Sequence, residues 1–428
     1  MHEHDKMWED LGLDVQLHHR LMESIGKNYQ DTVLTQKNRP EGMFYFDGVI
    51  HASHGDRVKE LINAKENGEK IAGTFCIYVP EEIAMAVDVI PLPLCGGTNF
   101  SVPYAEKLLP RDICPLVKST LGLAFSKTCP YAPIKDMAVG ETTCDAKKKT
   151  WEILAGKVKF HVMEVPQKKE DPDRDVWLEE VKNFMHQMEA LAEKKVTLDR
   201  LKESIDVMNR KRKALQDFSN LRASEWPPIS GLDALVVYQS MLNDEHVRFT
   251  EKLEDLNEEL KQRISQGVSP FSEGLKRIMV SGCPSVMGNW KLHHIIESSG
   301  GIVVADETCT GSRYFENLVA DSAKSLDGLI QAIADRYMKV NCSCFTPNNE
   351  RIEDVRNKVD MYRIDGVVQY ILQYCHTYNI EAIRVESALK QKGVPHLKIE
   401  TDYSGEDRGQ ISTRVEAFLE QMQGNSKG

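Results

Sequence analysis

The chain has 428 residues, is 41% hydrophobic and 28% charged, and carries a net charge of −11. That length allows two or three domains with cores of their own, and the acidic balance excludes the basic field of a nucleic-acid surface. No apolar run approaches the roughly eighteen residues of a membrane span, and MHEHDKMWEDLG lacks the basic and apolar regions of a secretory signal, so the cytoplasm is the expected location.

Residues 1–70 read as a helical N-terminal segment, with helical spacing over 14–26 and 56–67 and an irregular stretch over 37–53. Its histidines at 2, 4, 18, 19, 51 and 54 lack a consistent i, i+4 geometry with carboxylates and are expected at the surface. A first α/β domain is expected over 71–170. IAGTFCIYV (71–79), VIPLPL (89–94), MAVGETT (137–143) and VKFHVMEV (158–165) read as buried strands. Helices should start at Pro80, at Cys114-Pro115 and at Cys144-Asp145, since proline and small capping residues suit a first turn.

Residues 171–270 change texture: three long Glu- and Lys-rich segments carry apolar residues at three- and four-residue spacing, as a helical insert would. The α/β pattern returns over 271–428, with strands expected at 277–281, 301–305, 365–374 and 394–400. Helices are expected between them, near 325–339, 348–363 and 381–392, with a last one over 411–423. The fold class is therefore α/β: two Rossmann-like parallel-sheet domains, a helical N-terminal segment and a helical insert between them. Basic runs such as Lys147-Lys148-Lys149 read as solvated faces.

The ten cysteines all fall in the two α/β regions and none in the long helices. Cys114, Cys129 and Cys144 are fifteen residues apart, and two of them stand where a helix begins. There the free N–H groups and the helix dipole bias a thiol toward thiolate. The two regions also echo each other in order. Cys76 and Cys283 close a first strand, Cys95 and Cys309 a second, and Cys144 and Cys375 a later one. Ligands gather outside the carboxyl ends of parallel strands, so the two edges, facing each other, would bring six or more thiols into one cleft. Zinc structural sites usually carry paired C-x₂₋₄-C knuckles, and this chain has only Cys342-x-Cys344. Iron–sulfur clusters accept thiolates from widely separated loops, and the dispersed spacing suits them better.

At CIYVPEEIAMAVDVIPLPL, LPRDICPLVKSTLG, VGETTCDAKKK and QYCHTYNIEAIRVESALKQKGVPHLKIETDYS the chain resembles the 2-hydroxyacyl-CoA dehydratase and benzoyl-CoA reductase superfamily. The resemblance covers roughly 70–165 and 275–425. It implies one [4Fe–4S] cluster on three cysteines, which fall here on Cys114, Cys144 and Cys375. The additional Cys129, Cys309 and Cys342–Cys344 pair resemble the double-cubane cluster proteins of that superfamily, which hold an [8Fe–9S] group. The implied ligands are Cys114, Cys129, Cys144, Cys309, Cys375 and one of Cys342 or Cys344, with a weak preference for Cys344. Cys76, Cys95 and Cys283 are then neighbours or packing residues.

The same resemblance implies a homodimer and a separate ATP-hydrolysing iron–sulfur activator supplying low-potential electrons. The chain has no GxxxxGK[ST] loop of its own, consistent with an ATPase elsewhere. The expected activity is reduction of a small molecule; the alternatives are a 2-hydroxyacyl-CoA dehydratase subunit with one [4Fe–4S] cluster and a non-enzymatic electron carrier. His376 and Glu307 are the candidate catalytic proton donors, with Glu141 and Asp145 beside other cysteines. Structural roles compete for each: a helix cap for Asp145, a hydrogen bond to sulfur for His376.

Overall fold

A computed structural model describes residues 3–94, 96–272 and 274–424. Among the described residues, eight strands form two four-stranded parallel sheets. The first contains β1 (Lys70–Thr74), β2 (Val89–Pro93), β3 (Met137–Glu141) and β4 (Phe160–Met163), in the order β2-β1-β3-β4. The second contains β5 (Lys276–Gly282), β6 (Gly301–Glu307), β7 (Gly366–Leu372) and β8 (His396–Thr401), in the order β6-β5-β7-β8. The two orders are the same, so the echo among the cysteines reflects a repeated topology. In each sheet the chain reverses its direction of growth beside the first strand, between β1 and β3 and between β5 and β7. Crevices form at such switch points.

Every residue of β3, β6 and β7 is buried, which is why these strands read as continuous apolar runs rather than alternating ones. The expected strand at 71–79 is shorter: β1 ends at Thr74. The following Phe75, Tyr78 and Val79 are buried as turn residues, and burial rather than pairing explains the hydrophobic run. The helix expected at 381–392 begins at His376, immediately after β7.

Two of the longer described helices escape the sequence pattern. Met43–Ala52 lies within the stretch expected to be irregular. Its buried Met43, Phe46 and Ile50 have helical spacing, but the adjacent Phe44 and Tyr45 mask it, and Phe44 is exposed. Gly231–Ser240 is buried at every position and so shows no amphipathic period. The surface expectation for the N-terminal histidines fails at His18. It is buried, donates from Nδ1 to the Thr128 carbonyl at 2.7 Å and stacks on His54. His2 and Cys95 lie outside the described residues.

The long helices Asp171–Ala192 and Leu198–Leu221 pack against elements of both halves, and His246–Ser265 packs on the second of them. Trp177, on the first of them, donates to the Ala334 carbonyl at 3.1 Å. On the second, Arg212 pairs with Glu82 of the first half at 2.6 Å, and Arg222 pairs with Asp306 of the second half at 2.9 Å. All four charges are buried. Breaking such a pair costs about 3–5 kcal/mol, because one charge is left uncompensated. The insert thus fixes the two sheets against each other, with their carboxyl ends meeting at one cavity.

Candidate iron–sulfur site

The cavity has a volume of about 140 Å³. Seven cysteines line it: Cys76 and Cys144 after β1 and β3, Cys114, and from the second half Cys283, Cys309, Cys342 and Cys375. The nine described cysteines are all free.

Three of the cysteines stand at helix N-caps. Cys114 precedes Pro115–Phe125, where the Leu116 and Val117 N–H groups favour its thiolate. Cys144 precedes Asp145–Ala155 and accepts from the Lys147 N–H at 3.5 Å. Cys375 precedes His376–Gln391, with the Tyr378 N–H directed at it and the Thr377 hydroxyl at 3.9 Å. The expected bias toward thiolate is nonetheless outweighed at the first two. Burial pushes Cys114 up to about 12, helped by the charge of Cys375, and burial also raises Cys144. Cys375 is lowered, chiefly by a hydrogen bond from the Cys283 thiol. The helix ends orient these sulfurs, but desolvation keeps the first two as thiols until a cation takes the proton's place.

The remaining thiols are held differently. Cys283 is wholly buried and accepts from the Leu372 N–H at 3.4 Å. Cys309 follows β6, with Arg313 Nη1 at 3.6 Å and the Tyr378 hydroxyl at 4.0 Å. The loop bearing Cys342 and Cys344 is fixed by Asn348, whose side chain donates to the Cys342 carbonyl at 2.9 Å, and by Ser343, bonded to Thr377 at 2.9 Å. Cys344 donates to Cys342, which lowers Cys342 and raises Cys344. Cys344 stands behind Cys342 rather than on the cavity wall.

Electrostatic contact divides the thiols into two groups. Cys114, Cys144 and Cys283 each interact with Cys375. Cys76, Cys309 and Cys344 each interact with Cys342. Cys375 and Cys342 join the groups. Among the described residues no three His, Cys, Asp or Glu side chains converge on a single ion; the sulfurs surround a space instead. Among the described residues, the lining otherwise carries one carboxylate, Glu81, and one ammonium, Lys147. A sulfur-rich, carboxylate-poor donor set suits a soft multi-iron group.

Cys129 does not join this set. It lines a second cavity of about 300 Å³, with Leu11, Leu13, Phe125 and Lys135. Phe75 lines both cavities and stands between them. The regular spacing of Cys114, Cys129 and Cys144 misleads because Cys129 belongs to the loop before the Tyr131–Ile134 turn, next to the N-terminal segment.

The candidate proton donors lie away from the cavity wall. His376 is exposed. Glu307 is wholly buried between Arg313 and Arg351 and accepts from the Ser281 hydroxyl at 2.6 Å. Those arginines hold it at about 2 against the opposing effect of burial, so it is a fixed anion. Glu141 is buried against Lys147, and Asp145 is solvent-exposed beside Lys148. Lys147, read from the sequence as part of a solvated face, turns inward to the cavity and pairs with buried Glu141. Sequence reasoning missed Tyr314, Tyr378 and Glu81 as lining residues and expected Cys76 and Cys283 only as neighbours or packing residues. The two cysteines had a usable signal, each closing the first strand of its half; the others had none.

The model of the family described as "2-hydroxyglutaryl-CoA dehydratase, D-component" matches residues 76–422. The chain is 37% identical to the "Putative dehydratase subunit YjiM" of Escherichia coli K12, over 85% of this chain and 94% of that protein. It is 25% identical to the beta subunit of (R)-2-hydroxyglutaryl-CoA dehydratase of Acidaminococcus fermentans, over 85% and 95% of the two chains. It is 24% identical to the beta subunit of (R)-phenyllactyl-CoA dehydratase of Clostridium sporogenes, over 84% and 93%. The match runs from just after β1 through the rest of both cysteine-bearing sheets and the insert that joins them, and the chain belongs to the 2-hydroxyglutaryl-CoA dehydratase D-component family.

Proposed function

We propose that this chain is an iron–sulfur oxidoreductase that reduces a small molecule with low-potential electrons from a separate ATP-hydrolysing activator. The observation that carries this reading is the single cavity walled by seven cysteines from both sheets. A double-cubane [8Fe–9S] group is the favoured occupant, since the thiols exceed the four that one cube needs and fall into two groups joined at Cys342 and Cys375. Cys114, Cys144, Cys375, Cys309 and Cys342 would hold the group, with Cys76 or Cys283 completing the set. When bound, the group stores and delivers electrons one at a time. The chain's own residues exclude water, orient the sulfurs and hold positive charge near them through Arg313 and Lys147. The protein works as a homodimer in the cytoplasm.

The second reading is a 2-hydroxyacyl-CoA dehydratase subunit with one [4Fe–4S] cluster on Cys114, Cys144 and Cys375. The position of Cys129 in another cavity and the names of the relatives favour it. Iron-loaded protein, activator and ATP, offered small unsaturated and nitrogen-containing compounds, separate the readings. Substrate-dependent reoxidation supports the reductase. Dehydration of a 2-hydroxyacyl-CoA supports the dehydratase reading, and reduction without any turnover supports a carrier.

A further inference from the structure

Four side chains from four distant segments form a continuous hydrogen-bonded line between the cysteine-lined cavity and the surface. Glu81 begins the Glu81–Met85 helix and lines the cavity. Its carboxylate accepts from the Tyr314 hydroxyl at 2.5 Å, and Tyr314 also lines the cavity. The Tyr314 oxygen accepts from Lys211 Nζ at 3.2 Å. Lys211 Nζ is 3.0 Å from His246 Nδ1 and donates to the Met241 carbonyl at 2.6 Å. His246 opens the His246–Ser265 helix and lines a surface cleft of about 410 Å³, with Glu60, Asp88 and Glu245.

We propose that His246, Lys211, Tyr314 and Glu81 are a proton relay that feeds the cavity from this cleft. The inference rests on the reading above, because electrons entering the cavity need protons to balance their charge. The Lys211 ammonium passes a proton to the Tyr314 oxygen as Tyr314 passes its own to the Glu81 carboxylate. This leaves a neutral amine, an intact phenol and a carboxylic acid facing the cavity. The His246 imidazole, no longer accepting from an ammonium, turns to its Nδ1–H tautomer, gives that proton to the Lys211 amine and takes one from the cleft at Nε2, staying neutral as burial and the neighbouring cations require. One proton enters and no other bond changes.

Lys211 is the residue that packing alone does not explain. It is wholly buried, and its three hydrogen-bond partners are a carbonyl, a phenol and an imidazole, none of them a carboxylate. Beyond these partners its support comes from the Phe249 and Tyr314 rings, whose centres lie 5.3 and 5.2 Å from Nζ. Burial also lowers Lys211 to about 8, where it can give up and regain a proton near neutrality. The neighbouring Arg212, Glu82 and Tyr337 form their own buried network and leave the line uninterrupted.

Infrared difference spectroscopy during electrochemical reduction of the iron-loaded protein tests the relay without a substrate. Iron and sulfide are measured first: their absence overturns the functional reading and the relay together. With the group present, reduction should produce a carboxylic-acid band that Glu81→Gln removes. Tyr314→Phe, which deletes one oxygen, should slow the appearance of that band by about tenfold or more at unchanged iron content. His246→Ala should slow it as well, and added imidazole, small enough for the cleft, should restore it. A wild-type rate in Tyr314→Phe, or a slowed His246→Ala that imidazole leaves slow, overturns the relay while the functional reading stands.

Discussion

Arg313 and Glu307 form a wholly buried ion pair at the base of the Cys309 loop, with the guanidinium Nε donating to the carboxylate at 2.6 Å. The same guanidinium places Nη1 at 3.6 Å from the Cys309 sulfur. The carboxylate therefore acts on the site by fixing the cation that faces a thiol, not by supplying protons.

This pairing has a pH signature. The folded value of Glu307, about 2, lies below its ordinary value of 4.5. Its contribution is complete above that ordinary value and is lost as the pH falls toward 2. The difference corresponds to roughly 3 kcal/mol at neutral pH. Urea unfolding between pH 6 and 2.5 should show this loss in the wild type and a shallower dependence in Glu307→Gln. Glu307→Gln should itself be destabilised by about 3–5 kcal/mol at pH 7, because Arg313 loses its charged partner and Arg351 keeps only Glu381.

The stacked pair His18 and His54 gives a second, separate window. Burial lowers both below the ordinary 6.5, His54 to about 3. A histidine depressed in this way stabilises the fold while neutral, and the contribution is lost as the pH falls from 6.5 toward 3. Amide protection factors in the Val15–Thr32 helix, which remove the base catalysis of intrinsic exchange, should therefore fall at pH 5 relative to pH 7. In His54→Phe, which keeps an aromatic ring but cannot charge, that fall should shrink.

The cysteines give the most direct mutational contrast. Cys144→Ala removes a cavity-lining sulfur and should lower iron content and alter the visible spectrum. Cys129→Ala changes the neighbouring cavity and should leave both unchanged. Cys342→Ala should lose more iron than Cys344→Ala, since Cys342 faces the cavity and Cys344 bonds to it from behind. Loss of iron in Cys129→Ala would show that the loop carrying it moves to the sulfur-lined cavity when the group is bound.

The architecture was legible because fully buried parallel strands leave an unmistakable apolar run, and because a cysteine closes most of them. That pattern located both sheets and the edge that matters. It failed where burial has no period, as in Gly231–Ser240, and where neighbouring aromatic residues blur one, as at Phe44 and Tyr45. Even spacing grouped Cys129 with Cys114 and Cys144, although the loops carry it to the other side of Phe75. Proximity in sequence also promoted Glu307 and His376, whose side chains do not line the cavity. Glu81, Lys211, His246 and Tyr314 left no signal at all, because only the insert's packing against both halves brings them into line.

The central claim is that both halves of the chain hold one iron–sulfur group in a shared cavity. Iron and acid-labile sulfide in anaerobically purified protein test it most directly. About eight irons per chain with abundant sulfide are expected, and about four would select the single-cluster reading. Zinc without sulfide, or a protein that folds and retains neither iron nor sulfide, would contradict it.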